Sequence, residues 1–322
     1  MDEFDLIAEL FAPLAEGEEG ARDLADDAAV LDPTPGRALV VAADALVEGV
    51  HFLAADAPDL VARKLLRVNL SDMAAMGAEA RGYLLTVQIP RDRDDAWLRA
   101  FAAGLAADQR EFAVTLLGGD TVSTPGPFAA SITMLGELPP GAALGRDGAR
   151  AGEAVYVSGT LGDAALGLDA LKGWLDDLAP EDRAALVDRY RLPRPRLALG
   201  RSLRGLASAA IDISDGLVAD LGHIADRSGI GIEIDARRLP LSPAAARAVA
   251  AEPGRLARVL AGGDDYELAF TSAAGDDALA ALSRTLSLPV TRIGRASPKK
   301  NIVVNGADGI ALEPGGGGYR HR

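Results

Sequence analysis

Apolar positions fall into two alternating rhythms along this chain: short continuous runs that suit buried strands, and longer stretches with helical spacing. Phe4, Ile7 and Leu10 fit one face of an opening helix, and ALVVAAD (38–44) reads as a buried strand. Residues 59–79 have helical spacing, and GYLLTVQIP (82–90) is a strand stopped by proline. DDAWLRAFAAGLAADQREF (94–112) predicts a second helix with aspartates in its first turn. AVTLLGGD and PFAASITMLGEL supply two further strands. The first half therefore predicts a mixed α/β domain with a sheet and two main helices. PPGAALGRDGARAGE (139–153), rich in Gly and Pro, marks the boundary. Beyond it AVYVSG, AAIDISDGL, GIGIEID, YELAFT and VTRIGRA read as strands, with LGDAALGLDAL starting a helix and Ala-rich helices between the later strands. The expected division is 1–140 and 150–322, the latter ending in EPGGGGYRHR, a tail flexible by composition.

Composition narrows the function. The 322 residues are enough for two domains of ordinary size. A net charge of −14 argues against nucleic acid or an anionic membrane as partner, although metal ions can still bring phosphates to an acidic surface. The absence of cysteine removes disulfides, thiolate metal sites and Cys nucleophiles together. MDEFDLIAELF has no basic leader region, and no apolar stretch is long enough to span a bilayer, so a cytoplasmic protein is expected.

The chemistry concentrates in aspartates at strand ends or on otherwise apolar elements. Asp26 and Asp27 precede AAVLD, Asp44 ends ALVVAA, Asp72 lies in NLSDMAAMGA, Asp120 follows LLGG, and Asp212 and Asp215 bracket Ser214. Two carboxylates roughly 4 Å apart repel by about 4 kcal/mol at an effective dielectric near 20, so a paired arrangement calls for a cation. Oxygen-rich, sulfur-free clusters suit hard ions such as Mg²⁺. Each aspartate alone also fits a turn or cap, and Asp215 could cap the helix that begins GLVADL. Gly118-Gly119-Asp120 and the SGTLGD run (158–163) read as turns after strands, where backbone N–H groups either approach an anion or merely turn the chain. There is no GxxxxGK[ST] loop and no GxGxxG in a dinucleotide-binding setting. Of the three histidines, His223 sits in a helix pattern and His321 in the tail, while His51 in LVEGVHFL reads from its neighbours as strand-end packing.

Taken in order, DDAAVL, DALVEGVHF, NLSDMAAMGA, GGDT, SGTLGDAALGL, DISDGL and GGDDYELAFT resemble the thiamine-monophosphate kinase family across nearly the whole chain. LVEGVHF with NLSDMAAMGA points to the kinase rather than to its superfamily relatives. Those relatives are aminoimidazole ribonucleotide synthetase, selenophosphate synthetase and the hydrogenase-maturation dehydratase, the last two expected to carry a Cys or selenocysteine this chain lacks. The resemblance implies an N-terminal α/β domain that binds ATP and Mg²⁺ and dimerises through its sheet, a C-terminal α/β domain, and a homodimer with ATP near its interface. It implies several Mg²⁺ ions on Asp27, Asp44, Asp72, Asp120, Asp212 and Asp215, with Asp120, Asp212 and Asp215 catalytic. Gly119, Asp120, Arg146 and Ser214 would contact ATP, and His51, Asp264 and Tyr319 the thiamine monophosphate. Two departures stand out: Ala42 and Ala43 replace the hydroxyl usual before Asp44, and GDDYEL replaces GEDYEL, leaving Asp264 a methylene short. The implied reaction is ATP-dependent phosphorylation of thiamine monophosphate to thiamine diphosphate, by direct in-line transfer. Two alternatives are another ATP-using member of the superfamily, such as aminoimidazole ribonucleotide synthetase, and a non-catalytic acidic module that binds nucleotide or metal.

Overall fold

A computed structural model describes residues 3–91, 93–306 and 311–312. The chain is a mixed α/β protein in two compact units, one of residues 1–73 and 78–141, the other of 74–77 and 142–322. Among the described residues no helix is long and apolar enough to cross a membrane.

In the first unit the opening helix is broken. A short α1 (Glu3–Leu6) passes into a π turn (Ile7–Phe11) and a 3₁₀ turn (Ala12–Ala15), burying Leu6, Leu10, Phe11 and Leu14 instead of one regular stripe. Pro13 enters at the first turn of the 3₁₀ segment, where its missing N–H does no harm. There follow β1 (Ala38–Val47), α2 (Pro58–Ala75), β2 (Glu79–Pro90), α3 (Asp95–Phe112), β3 (Thr115–Thr124) and β4 (Ala129–Leu138). The sheet order is β1-β4-β2-β3, antiparallel except for the β2–β3 pair. Asp94 caps α3 by accepting the Trp97 N–H at 2.8 Å. Along β4, Ala130, Ile132 and Met134 are buried in alternation, the period that turns every second side chain to one face. The helices pack there closely: a Cβ on Gly136 would lie 2.7 Å from the Met73 sulfur, and one on Gly104 of α3 would lie 2.3 Å from the Asp59 carbonyl of α2. On the other face Leu39, Val41, Leu84 and Val122 stay exposed.

The second unit holds β5 (Ala154–Ser158), α4 (Asp163–Leu171), α5 (Pro180–Arg191), α6 (Leu197–Ser202), β6 (Ala209–Asp212), α7 (Leu217–Ser228) and β7 (Gly231–Asp235). After these come α8 (Pro243–Ala251), α9 (Leu256–Ala261), β8 (Leu268–Ser272), α10 (Asp276–Leu286), β9 (Val290–Ser297) and β10 (Ile302–Asn305). Six strands form the sheet β10-β7-β9-β5-β8-β6, extended at the β10 edge by the two-residue β11 (Ala311–Leu312). Both faces are covered. Val155, Val157, Ile211 and Ala269 join one apolar cluster with α7, while Tyr156, Ala210, Leu268 and Phe270 join another. That double burial explains why these strands read as continuous apolar runs.

Candidate functional site

The first unit divides its aspartates between two faces of its sheet. Asp120 lies inside β3, not in a turn after it, and its register with Thr86 puts it on the exposed face with Leu84 and Thr133. There Asp120, Gly118 and Gly119 line a cavity of about 540 Å³ together with Asp27 and Leu135. Gly119 has its own structural reason: a Cβ would lie 1.7 Å from the Leu85 carbonyl oxygen, so the β2–β3 pairing admits no side chain. Asp44 pairs with buried Ile132 and so belongs to the helix face. Its N–H donates to Oδ1 of Asn69 at 2.9 Å, and Asn69, wholly buried, also donates to the Leu65 carbonyl at 2.9 Å. Asp72 follows Asn69 by three positions on α2, which places Asp44 and Asp72 on elements tied by one side chain. His51 sits in the turn after β1, where its ring nitrogen Nδ1 accepts the Val47 N–H at 3.0 Å.

In the second unit two distant sequence motifs meet. Asp212 ends β6 and is buried; Ser214 and Asp215, half-buried, make the turn into α7. Segment 262–267 folds onto that turn: Asp264 N–H donates to the Ser214 carbonyl, Tyr266 N–H to Ile213, and Ile213 N–H to Glu267, each at 2.8 Å. Asp264 and Tyr266 hold positive φ angles of 71° and 50° to make this approach. Arg146 lies in an exposed loop whose carbonyl accepts the Ser228 hydroxyl at 2.9 Å. Tyr319 lies outside the described residues.

Asp215 does not cap α7. That role falls to Asp220, from inside the helix. One oxygen of its carboxylate accepts the N–H groups of Ser214, Asp215 and Gly216 at 3.0, 3.0 and 3.1 Å. These three amides therefore face an internal carboxylate and form no phosphate cradle. Asp220 is 2% exposed, and its carboxyl is pushed up to about 7, first by burial and then by the charges of Asp212 and Asp215. The SGTLGD turn behaves alike. Asp265, wholly inside, accepts the Gly162 N–H at 2.7 Å and the Ala164 N–H at 3.4 Å, and burial holds its carboxyl well above the usual range. Glu267, the last acid of that motif, accepts from Ser158 at 2.6 Å, Arg189 at 2.9 Å and Arg196 at 2.6 Å, a buried ionic group that anchors the strand ends.

The donor chemistry fits a hard cation. Every carboxylate named from the sequence offers oxygen alone, which suits Mg²⁺. Repulsion among Asp212, Asp215 and Asp220 would fall with a positive ion beside them. Among the described residues Asp215, Asp220 and His223 form the group that could hold a metal, one ligand atom of each lying within 4.8 Å of the others. With one Asp220 oxygen already committed to three amides, Asp215 is its most available carboxylate.

Asp220 and Asn69 were not singled out in the sequence, yet both leave a signal there. Asp220 occupies the same stripe as Leu217, Leu221 and Ile224, and Asn69 the stripe of Leu65, Leu66, Leu70 and Met73. A polar residue at an apolar stripe position is buried, and burial obliges it to bond.

An acidic two-unit α/β chain of this kind matches two family models: AIR synthase related protein, N-terminal domain, over residues 25–138, and AIR synthase related protein, C-terminal domain, over 150–306. Within that class the similarity is narrower. The thiamine-monophosphate kinase of Caulobacter vibrioides is 50% identical over 270 residues, covering 83% of this chain and 75% of that protein. The crystal structure of thiamine-monophosphate kinase from Stenotrophomonas maltophilia K279a superposes with a TM-score of 0.85 at 41% identity, covering 97% of this chain and 98% of that one. AaThiL complexed with AMPPCP and TMP gives 0.78 at 32% identity, covering 99% and 97%. The chain belongs to the thiamine-monophosphate kinase family.

Proposed function

We propose that the chain transfers the γ-phosphoryl group of ATP to the phosphate of thiamine monophosphate, yielding thiamine diphosphate and ADP by direct in-line displacement. The observation that carries this reading is the complex of AaThiL with AMPPCP and TMP, in a relative aligned over almost the whole chain. In the first unit Asp27, Asp44, Asp72 and Asp120 hold Mg²⁺ ions, and Asp212 and Asp215 do so in the second. Bound Mg²⁺ neutralises phosphate charge and sets the line of transfer. Asp120, Asp212 and Asp215 are the catalytic carboxylates in this sense. Gly119, Arg146 and Ser214 bind the nucleotide; His51, Asp264 and Tyr319 bind the acceptor. The Asp264 N–H bond to the Ser214 carbonyl supports that division, since it couples an acceptor contact to a nucleotide contact.

The acceptor phosphate has a second pKa of about 6 and is mostly ionised at neutral pH, so the protein needs no strong base. Its task is to bring two polyanions together and hold them in line. The exposed strip of Leu39, Val41, Leu84 and Val122 supports a homodimer formed through the first sheet. A coupled ADP assay tests the function with thiamine monophosphate, thiamine and formylglycinamidine ribonucleotide as candidate second substrates. Turnover is expected with thiamine monophosphate alone. Turnover with the ribonucleotide instead moves the chain to the synthetase branch.

A further inference from the structure

The turn after β1 fixes more than the position of His51. Val47 and His51 exchange two hydrogen bonds. The Val47 N–H donates to Nδ1 of the ring at 3.0 Å, and the His51 N–H donates to the Val47 carbonyl at 2.9 Å. A donor pointing at Nδ1 needs a lone pair there, so a neutral imidazole that keeps this bond carries its proton on Nε2. Protonating Nδ1 would set two N–H groups against each other.

The residue's carbonyl is held as well. Lys64, 2% exposed on α2, donates from Nζ to the His51 carbonyl at 3.0 Å. The turn around it is pinned by the Gly49 N–H on the Phe52 carbonyl at 2.8 Å, the Glu48 N–H on the Phe128 carbonyl at 2.9 Å and the Leu53 N–H on the Asp56 carboxylate at 2.8 Å. A charge-assisted bond from a buried ammonium is strong and geometrically demanding. It ties the His51 turn to the helix that also carries Asn69 and Asp72.

We propose that Lys64 is a positioning residue for the acceptor site and that the Val47 bond holds His51 as an Nε2–H donor. His51 then gives a hydrogen bond to an anionic oxygen of the acceptor and takes no proton from it. The inference rests on the reading that His51 meets the acceptor, and its chemistry agrees with that reading: an ionised phosphate oxygen wants a donor, not a base.

The test uses the full chain with ¹⁵N in its histidine rings. Long-range ¹H–¹⁵N correlation at pH 8 reports which ring nitrogen bears the proton, and His51→Gln identifies the His51 signals among the three histidines. An Nε2–H tautomer without substrate is expected; an Nδ1–H tautomer, or averaging over both, overturns the assignment. Steady-state kinetics then compare Lys64→Met with the unaltered protein. KM for thiamine monophosphate should rise about tenfold, equal to about 1.4 kcal/mol, while KM for ATP stays within about twofold. An unchanged KM for thiamine monophosphate, or an equal rise for both substrates, removes Lys64 from the acceptor site. If Lys64→Met does not fold, Lys64→Gln takes its place under the same criterion. Failure of the unaltered protein to use thiamine monophosphate at all would defeat the proposed function, and the tautomer spectrum would still decide the geometry.

Discussion

Replacing Asp220 by Asn should stabilise the metal-free protein, and the gain should grow with pH. The side chain is 2% exposed, and its pKa rises from 3.8 to about 7 in the fold through burial and the charges of Asp212 and Asp215. An acid raised in this way binds more protons folded than unfolded across that interval, so stability falls as pH climbs from about 3.8 to about 7. Linkage puts the full loss at about 4 kcal/mol above the upper value, with roughly 2–3 kcal/mol of it falling between pH 5 and pH 8. Asn keeps an oxygen for the N–H groups of Ser214, Asp215 and Gly216 but carries no charge. Ala removes the acceptor too, at roughly 1 kcal/mol or more for each amide left unbonded. Urea unfolding in chelator at pH 5 and pH 8 measures the three proteins. The advantage of Asn over Asp should increase by about 2–3 kcal/mol at the higher pH, and Ala should trail Asn at both. Equal Asn–Asp differences at the two pH values would refute the claim that burial, with the charges of Asp212 and Asp215, raises this carboxyl.

Three further outcomes follow from particular contacts. Asp212→Asn and Asp120→Asn should each remove most turnover with circular dichroism unchanged, since each keeps the shape of a ligand and loses its charge; near-normal activity in both would end the metal-site reading. Gly119→Ala should destabilise by about 1–3 kcal/mol, because its Cβ falls 1.7 Å from the Leu85 carbonyl oxygen; thermal unfolding at the usual temperature would count against that pairing. Val41→Lys, on the exposed sheet face, should shift sedimentation toward the monomer with little change in unfolding, whereas an unmoved dimer would place the interface elsewhere.

Most strands were legible as short apolar runs between Gly, Pro or Asp, continuous in the central strands of the second sheet because both their faces are buried; the edge strand Ile302–Asn305 was not legible, being only four residues long. The opening helix was not, since the spacing of Phe4, Ile7 and Leu10 predicts one regular face, while the chain bends through π and 3₁₀ turns to bury Leu6, Leu10, Phe11 and Leu14. Gly118-Gly119 looked like a turn because glycine commonly marks one; here it serves close strand pairing inside β3, a constraint imposed by Leu85 from another strand. Of the aspartates read as strand-end residues, Asp212 does end β6, whereas Asp44 and Asp120 lie inside β1 and β3, because those strands run on past the apolar core of each run. What positions the site was less visible: Asp220 binds the amides of the Ser214–Gly216 turn, while Asn69 and Lys64 bind the Asp44 N–H and the His51 carbonyl, groups distant in sequence that folding brings near. Of the two glycine runs that suggested an anion cradle, SGTLGD presents its amides to the protein's own Asp265 carboxyl and Gly118-Gly119 lies inside a strand.

The most direct test of the central claim is a ³¹P NMR time course of the full chain with Mg²⁺, ATP and thiamine monophosphate. Direct transfer predicts that the thiamine monophosphate resonance gives way to the two coupled phosphates of thiamine diphosphate, with ADP appearing in equal amount and no inorganic phosphate beyond background. ADP accompanied by free phosphate, with thiamine monophosphate unchanged, would contradict it.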